Sequence, residues 1–183
     1  MEHASAVSMK PEDIRALEEK YLFSTYKRSE LFCSHGSGVY LYDLAGERYL
    51  DFLGGISVNS LGYGHPRLAR IMAEQGQRLI HCSNLFYHPY QGLLAQKLVE
   101  VSGMSRAFFA NSGTEAVEGA MKIARAYGYA RAGQGKSVIL TLKNSFHGRT
   151  LGALSITTQE KYQAPFRPLI PDIATVEEFT PQA

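Results

Sequence analysis

The stretch RAFFANSGTEAVEGAMKIAR, residues 106–125, sets an apolar run against a helix-like run with a polar turn, Asn-Ser-Gly-Thr, between them. RAFFA (106–110) reads as a short strand, the pattern over 114–131 as a long helix, and SVILTL (137–142) as a second strand. Strand–helix–strand opens an α/β domain, with a right-handed crossover where the strands are parallel. In open α/β sheets ligands sit beyond the carboxyl ends of the strands. Two loops fall on that edge: the Asn-Ser-Gly-Thr turn, and KNSFHGRT (143–150), which leaves the second strand.

The turn has two readings. Ser112 and Glu115 have the S-x-x-E spacing of a capping box, which stabilises many helices with nothing bound. Gly113 also allows a ligand close to the backbone, and Thr114 adds a hydroxyl donor. The free N–H groups and the dipole at a helix start favour an anion. The second loop carries different chemistry: Phe146 a flat apolar face, His147 a polar ring, and Arg149 a guanidinium able to grip a carboxylate through two hydrogen bonds. Taken singly, the ordinary reading is favoured for each, a structural salt bridge for Arg149 and core packing for Phe146; together on one sheet edge with the helix start they point to a site.

ARAGQGKS (130–137) resembles a relaxed P-loop. A P-loop follows a strand and precedes a helix. Here the helix comes first and the strand second, so this segment is expected to end a helix and bind no nucleotide.

Upstream, Pro11 to about Lys20 reads as a short helix and GSGVYLYDLAGERYLDF as a hairpin turning at DLAGE. GGISVNSLGYGHP is a glycine-rich loop needing unusual backbone angles. Residues 66–80 and 89–102 have helical periodicity, with the aromatic-rich HCSNLFYHPY between them. The first domain boundary is placed at 65/66.

The chain has 45% hydrophobic and 20% charged residues and a formal net charge of +2, which excludes a disordered chain and a nucleic-acid-binding surface. Cys33 and Cys82 form no CxxC pair, which fits a reducing compartment, and cytoplasmic residence is expected. No secretory leader or membrane-length apolar run is read. His65, His81 and His88 lack ligand-pair spacing, so no metal is expected.

FFANSGTEAVEGAMKIARAYG, KNSFHGRTLGALSITTQEKYQAPFRPLIP and YLYDLAGERYLDFLGGISVNSLGYGHPRL together resemble the class III, ornithine-type aminotransferases, nearest to their acetylornithine-using branch. The resemblance runs from about Tyr21 to Pro171. It implies a fold-type I transferase dependent on pyridoxal 5′-phosphate (PLP). Residues 1–65 would be an N-terminal segment, and 66–183 the first part of the large domain and its sheet. Ser112, Gly113 and Thr114 would hold the cofactor phosphate, Phe146 would stack on the pyridine ring and His147 would flank it. Arg149 would bind the substrate α-carboxylate, and Tyr26 would shape the substrate pocket. The implied partners are an amino-acid donor, 2-oxoglutarate and a second subunit in a homodimer, in arginine biosynthesis. GGISVN and SNLFY would lie near that dimer interface.

The family's Schiff-base lysine and its pyridine-pairing aspartate are expected downstream of this chain; Lys161, the sole lysine after Arg149, sits outside the lysine motif. The 183-residue chain alone is therefore expected to be inactive. It should fold poorly, associate, or need a complementary piece, as a truncated or split enzyme. The alternative from another class is a non-catalytic half-fold serving as an interaction or regulatory partner.

Overall fold

The computed structural model describes residues 9–133, 135 and 137–178. They form two units, one ending at Phe86 and one beginning at Tyr87.

In the first unit, helix α1 (Pro11–Tyr21) starts on a proline whose missing N–H costs nothing there, with Glu12 and Asp13 at its positive end. The expected hairpin forms as β2 (Tyr40–Asp43) and β3 (Arg48–Leu50), with Tyr40 opposite Leu50 and Tyr42 opposite Arg48. Asp43 closes the turn: its Oδ1 accepts the Ala45 and Glu47 N–H groups, each at 2.9 Å. A strand not announced by the sequence, β1 (Cys33–Ser37), pairs antiparallel with β2 and completes a three-stranded sheet. Its residues, CSHGS, include none of the β-branched or large aromatic types that mark strands.

The glycine-rich loop has the unusual backbone its composition foretells. The one-turn segment α2 (Gly54–Ser57) is left-handed throughout, with φ of 54°, 61°, 59° and 65°. Asp51 anchors it: Oδ1 accepts the Leu53 and Gly54 N–H groups at 2.8 and 3.0 Å, and Oδ2 the Tyr63 hydroxyl at 2.6 Å. Helix α3 (Pro66–Arg78) follows.

The second unit opens with α4 (Pro89–Ser102), ended by Gly103 in the left-handed region at φ 70°. The long helix α5 (Gly113–Ala132) occupies the expected stretch. Strand β4 (Ile139–Leu142) leads through the short helices α6 (Leu151–Ser155) and α7 (Glu160–Gln163) to β5 (Ile173–Val176). The two strands pair in parallel, Ile139 opposite Ile173 and Leu142 opposite Val176. The core gathers Met121 of α5, Thr141 of β4 and the run from Gly152 to Thr157, all buried.

One expectation fails: RAFFA forms no strand, because 106–110 has no ladder partner among the described residues. An apolar run shows that a segment can be buried, whereas strand pairing belongs to two segments. Here β5, not RAFFA, supplies the partner of β4. Phe108 instead lies over α5, where a Cβ on Gly119 would stand 2.8 Å from its ring.

The P-loop look-alike has the inverted context expected of it. Ala132 ends α5, Gly133 follows at φ 82°, and β4 comes after; Gln134 and Lys136 lie outside the described residues. Among the described residues, no helix is long and apolar enough to cross a membrane.

Candidate active site

Ser112 has extended backbone, φ −152° and ψ 161°, and its Oγ accepts the Glu115 N–H at 3.3 Å. In a capping box the glutamate reaches back to the N-cap N–H. Glu115 Oε2 instead takes the N–H of Asn111, at 2.6 Å, and fixes the turn one residue earlier. The Ala116 N–H bonds to the Ser112 carbonyl at 3.1 Å. Gly113 and Thr114 lead the helix, so their N–H groups have no intrahelical acceptor and sit at its positive end. A Cβ built on Gly113 would meet nothing within 4 Å, so the approach to these donors is open. A phosphate-sized anion fits that donor set.

The second loop is anchored at its base. The Thr141 hydroxyl donates to the Ile156 carbonyl at 2.8 Å and faces His147 Nε2 at 3.4 Å. The His147 N–H donates to Thr157 Oγ1 at 3.0 Å. Phe146 is more than half exposed, and the Arg149 guanidinium lies over its ring, 5.8 Å from the centroid.

The two loops meet directly. Thr114 Oγ1 is 3.0 Å from Thr150 Oγ1, and the Thr150 hydroxyl donates to Glu118 Oε1. The same carboxylate oxygen accepts the Ala153 N–H at 3.2 Å. Because Thr150 gives its proton to Glu118, Thr114 must donate to Thr150, and the hydroxyl chain runs one way. Gly148, at φ 142°, fits beneath Thr114: a Cβ there would lie 2.3 Å from Thr114 Oγ1.

Ser112, Gly113, Thr114, Phe146, His147 and Arg149 therefore lie on two segments that the structure joins. Tyr26 belongs to the first unit. It lines an open cleft of about 770 Å³ with Arg15, Glu18 and Arg28. Glu118 and Thr150 went unread in the sequence. The available signal was the i, i+4 spacing of Thr114 and Glu118, which puts both on one helix face.

Residues 23–182 match the class-III aminotransferase family. The chain is 46% identical over 171 residues to the mitochondrial acetylornithine aminotransferase of Debaryomyces hansenii, covering 90% of this chain and 36% of that one. It is 47% identical over 161 residues to the acetylornithine aminotransferase of Methanothermobacter thermautotrophicus, covering 88% and 40%. Among solved structures, the ornithine aminotransferase of Toxoplasma gondii superposes with a TM-score of 0.87 at 29% identity, over 92% of this chain and 40% of that one. PLP partly occupies that protein's active site. A Bacillus anthracis aminotransferase superposes with a TM-score of 0.82 at 31% identity, over 93% and 40%. The chain thus spans about 40% of the length of such relatives. With the helix start at Gly113 and the Phe-His-Gly-Arg loop on adjoining segments, and a family match over 23–182, the chain belongs to the class-III aminotransferases.

Proposed function

We propose that this chain carries the phosphate-binding and substrate-carboxylate parts of a PLP-dependent aminotransferase. Its amino donor is of the acetylornithine type and its acceptor is 2-oxoglutarate, a reaction of arginine biosynthesis. The observation that carries this reading is the direct junction, at Thr114 and Thr150, of a helix start open to an anion with a loop bearing Phe146, His147 and Arg149. The identities of 46% and 47% to acetylornithine aminotransferases favour that donor over ornithine or 4-aminobutyrate.

In this reading the Gly113 and Thr114 N–H groups bind the cofactor phosphate beside Ser112. The Thr114 hydroxyl, expected from the sequence to be a further donor, instead gives its proton to Thr150; it ties the helix start to the second loop and leaves the backbone N–H groups to bind the phosphate. Phe146 presents an exposed ring face to the pyridine, and His147 flanks it in an orientation held by Thr141. Arg149 binds the carboxylate of donor and acceptor in turn, which holds the reacting carbon in a fixed orientation. Tyr26 shapes the substrate pocket. When bound, the cofactor supplies the electron sink that lets a proton leave the substrate carbon. No lysine described in this chain is assigned to covalent attachment of the cofactor. Lys161 sits on α7 with its Nζ 4.7 Å from the Tyr162 ring centroid. The second subunit of a homodimer is the remaining partner assigned.

The test is made on the protein at its natural full length. PLP binding is followed by visible absorbance, and then N-acetylornithine, ornithine, succinyl-diaminopimelate and 4-aminobutyrate are each mixed with the loaded protein. The expected result is conversion of the cofactor to its amine form, fastest with N-acetylornithine, and recovery with 2-oxoglutarate. Absence of PLP binding, or binding with no conversion by any donor, overturns the proposal.

A further inference from the structure

Glu118 lies one helical turn beyond Thr114 on α5 and points at the second loop rather than at solvent. Its Oε1 accepts two hydrogen bonds from that loop, the Thr150 hydroxyl and the Ala153 N–H, the second at 3.2 Å. Thr150 is itself the N-cap of α6, with its Oγ1 accepting the Ala153 N–H at 3.4 Å. One carboxylate oxygen on the phosphate-binding helix therefore holds both the cap and the first turn of the helix that follows Arg149.

Glycines make room for the side chains at this contact. A Cβ on Gly152 would stand 2.3 Å from Glu118 Oε2 and 2.4 Å from Oε1; one on Gly148 would meet Thr114 Oγ1. Real Cβ atoms do not approach other atoms so closely, so glycine on both sides of Arg149 lets the loop close onto α5. Arg149 is the residue immediately before Thr150. Its Cα is fixed between a buried Gly148 and a hydroxyl held by Glu118.

We propose that Glu118 is a positioning residue for Arg149. Through Thr150 it sets the distance between the anion-binding start of α5 and the guanidinium that grips the substrate carboxylate. Glu118 touches neither cofactor nor substrate in this role. The inference rests on the assignment of Arg149 to the substrate carboxylate, and its test separates the two.

In the full-length protein, Glu118→Ala, Glu118→Gln, Thr150→Val, Thr150→Ser and Arg149→Lys are compared. Glutamine keeps a carbonyl oxygen able to accept from both Thr150 and Ala153, and serine keeps the hydroxyl. Glu118→Ala and Thr150→Val are expected to lower kcat/KM for donor and acceptor roughly 10- to 100-fold, the scale of misplacing a positioning group. Most of the loss should fall on KM, because the carboxylate is bound in ground and transition states alike. Glu118→Gln and Thr150→Ser should restore it to within about threefold of the parent. Two readouts stand apart from turnover: the PLP dissociation constant, expected unchanged within about twofold, and amide hydrogen exchange of peptides covering 145–155 in the cofactor-free protein, expected to speed up in Glu118→Ala and not in Glu118→Gln. If Arg149→Lys raises KM while Glu118→Ala and Thr150→Val leave KM and exchange unchanged, the positioning role is wrong and the carboxylate assignment stands. If Arg149→Lys leaves KM unchanged, the carboxylate assignment itself falls, and the positioning role with it. If Glu118→Ala does not fold, the Thr150→Val and Thr150→Ser pair decides by the same criteria.

Discussion

Gly148 shows how tightly the site is drawn at the scale of single residues. Its φ of 142° is open only to glycine, and a Cβ there would lie 2.3 Å from Thr114 Oγ1 and 2.9 Å from Ala153 Cβ. Gly148→Ala is expected to destabilise the protein by about 2 kcal/mol or more through backbone strain and overpacking. Urea denaturation of the two forms measures this, and an unchanged midpoint would show that the loop yields without cost. In the first unit, the Tyr63 hydroxyl and two backbone N–H groups hold the Asp51 carboxyl below the usual carboxylate range, while the Tyr63 phenol is pushed up by the same hydrogen bond. A depressed carboxyl pKa stabilises the fold above its unfolded value, and that contribution is lost as pH falls through the folded value. Tyr63→Phe should therefore move the Asp51 titration back up towards the ordinary carboxylate range and shrink the acid-dependent loss of stability. Carboxyl-carbon NMR titration reads this directly; an unmoved Asp51 would assign the shift to the Leu53 and Gly54 N–H groups alone. Ser112 as a helix cap and Gly113 as the first helical residue were legible because cap chemistry is local to a motif. Glu118 and Thr150 were not, because each gains its meaning from a partner 32 residues away.

Helix starts and stops were the most readable elements. Pro11, Pro66 and Pro89 each open a helix, and Ser112 caps α5 as its S-x-x-E spacing foretold. These signals are short-range and act on the backbone next to them. Strands were less legible for the opposite reason: RAFFA looked like one and found no partner, while β1 and β5 went unread and found theirs. The hairpin at DLAGE was the exception, since a tight turn with Asp43 and Gly46 brings its two strands together within one segment. Cap chemistry gives a prediction of its own. Gly103 ends α4 at φ 70°, with its N–H bonded to the Val99 carbonyl at 3.2 Å. Gly103→Ala places a Cβ in the left-handed region and should cost about 1 kcal/mol. Ser112→Ala should cost a similar amount, about 1 kcal/mol, by removing the acceptor for the Glu115 N–H. Only the second should also weaken PLP binding, so denaturation and cofactor titration on both variants separate a helix cap from a cap beside a ligand.

At the scale of the whole molecule, the quantity that matters is apolar surface. The first unit has no fully buried residue among those described, and Phe23, Phe52, Val58 and Leu85 are each more than 80% exposed. In the second unit Val101 is 81% exposed and Phe108 64%. The parallel sheet has two strands, so β4 and β5 each present an unpaired edge among the described residues. A two-stranded sheet and a small core are marginal on their own, and side chains exposed at this density exceed what soluble monomers carry without a covering surface. The site described above is locally well tied, by Thr114, Thr150, Glu118 and Thr141, yet it rests on a unit whose apolar faces remain open. The 183 residues produced alone should therefore bind an apolar dye such as ANS and sediment as species heavier than a monomer, increasingly so with concentration. Local order and global closure come apart in that experiment: hydrogen exchange should show protection at Thr157 and its neighbours in the Gly152–Thr157 core even in the associated material, while the first unit exchanges freely. A monodisperse monomer with no dye binding would mean that these faces close upon one another within the chain, and the reading of them as uncovered surface would be wrong.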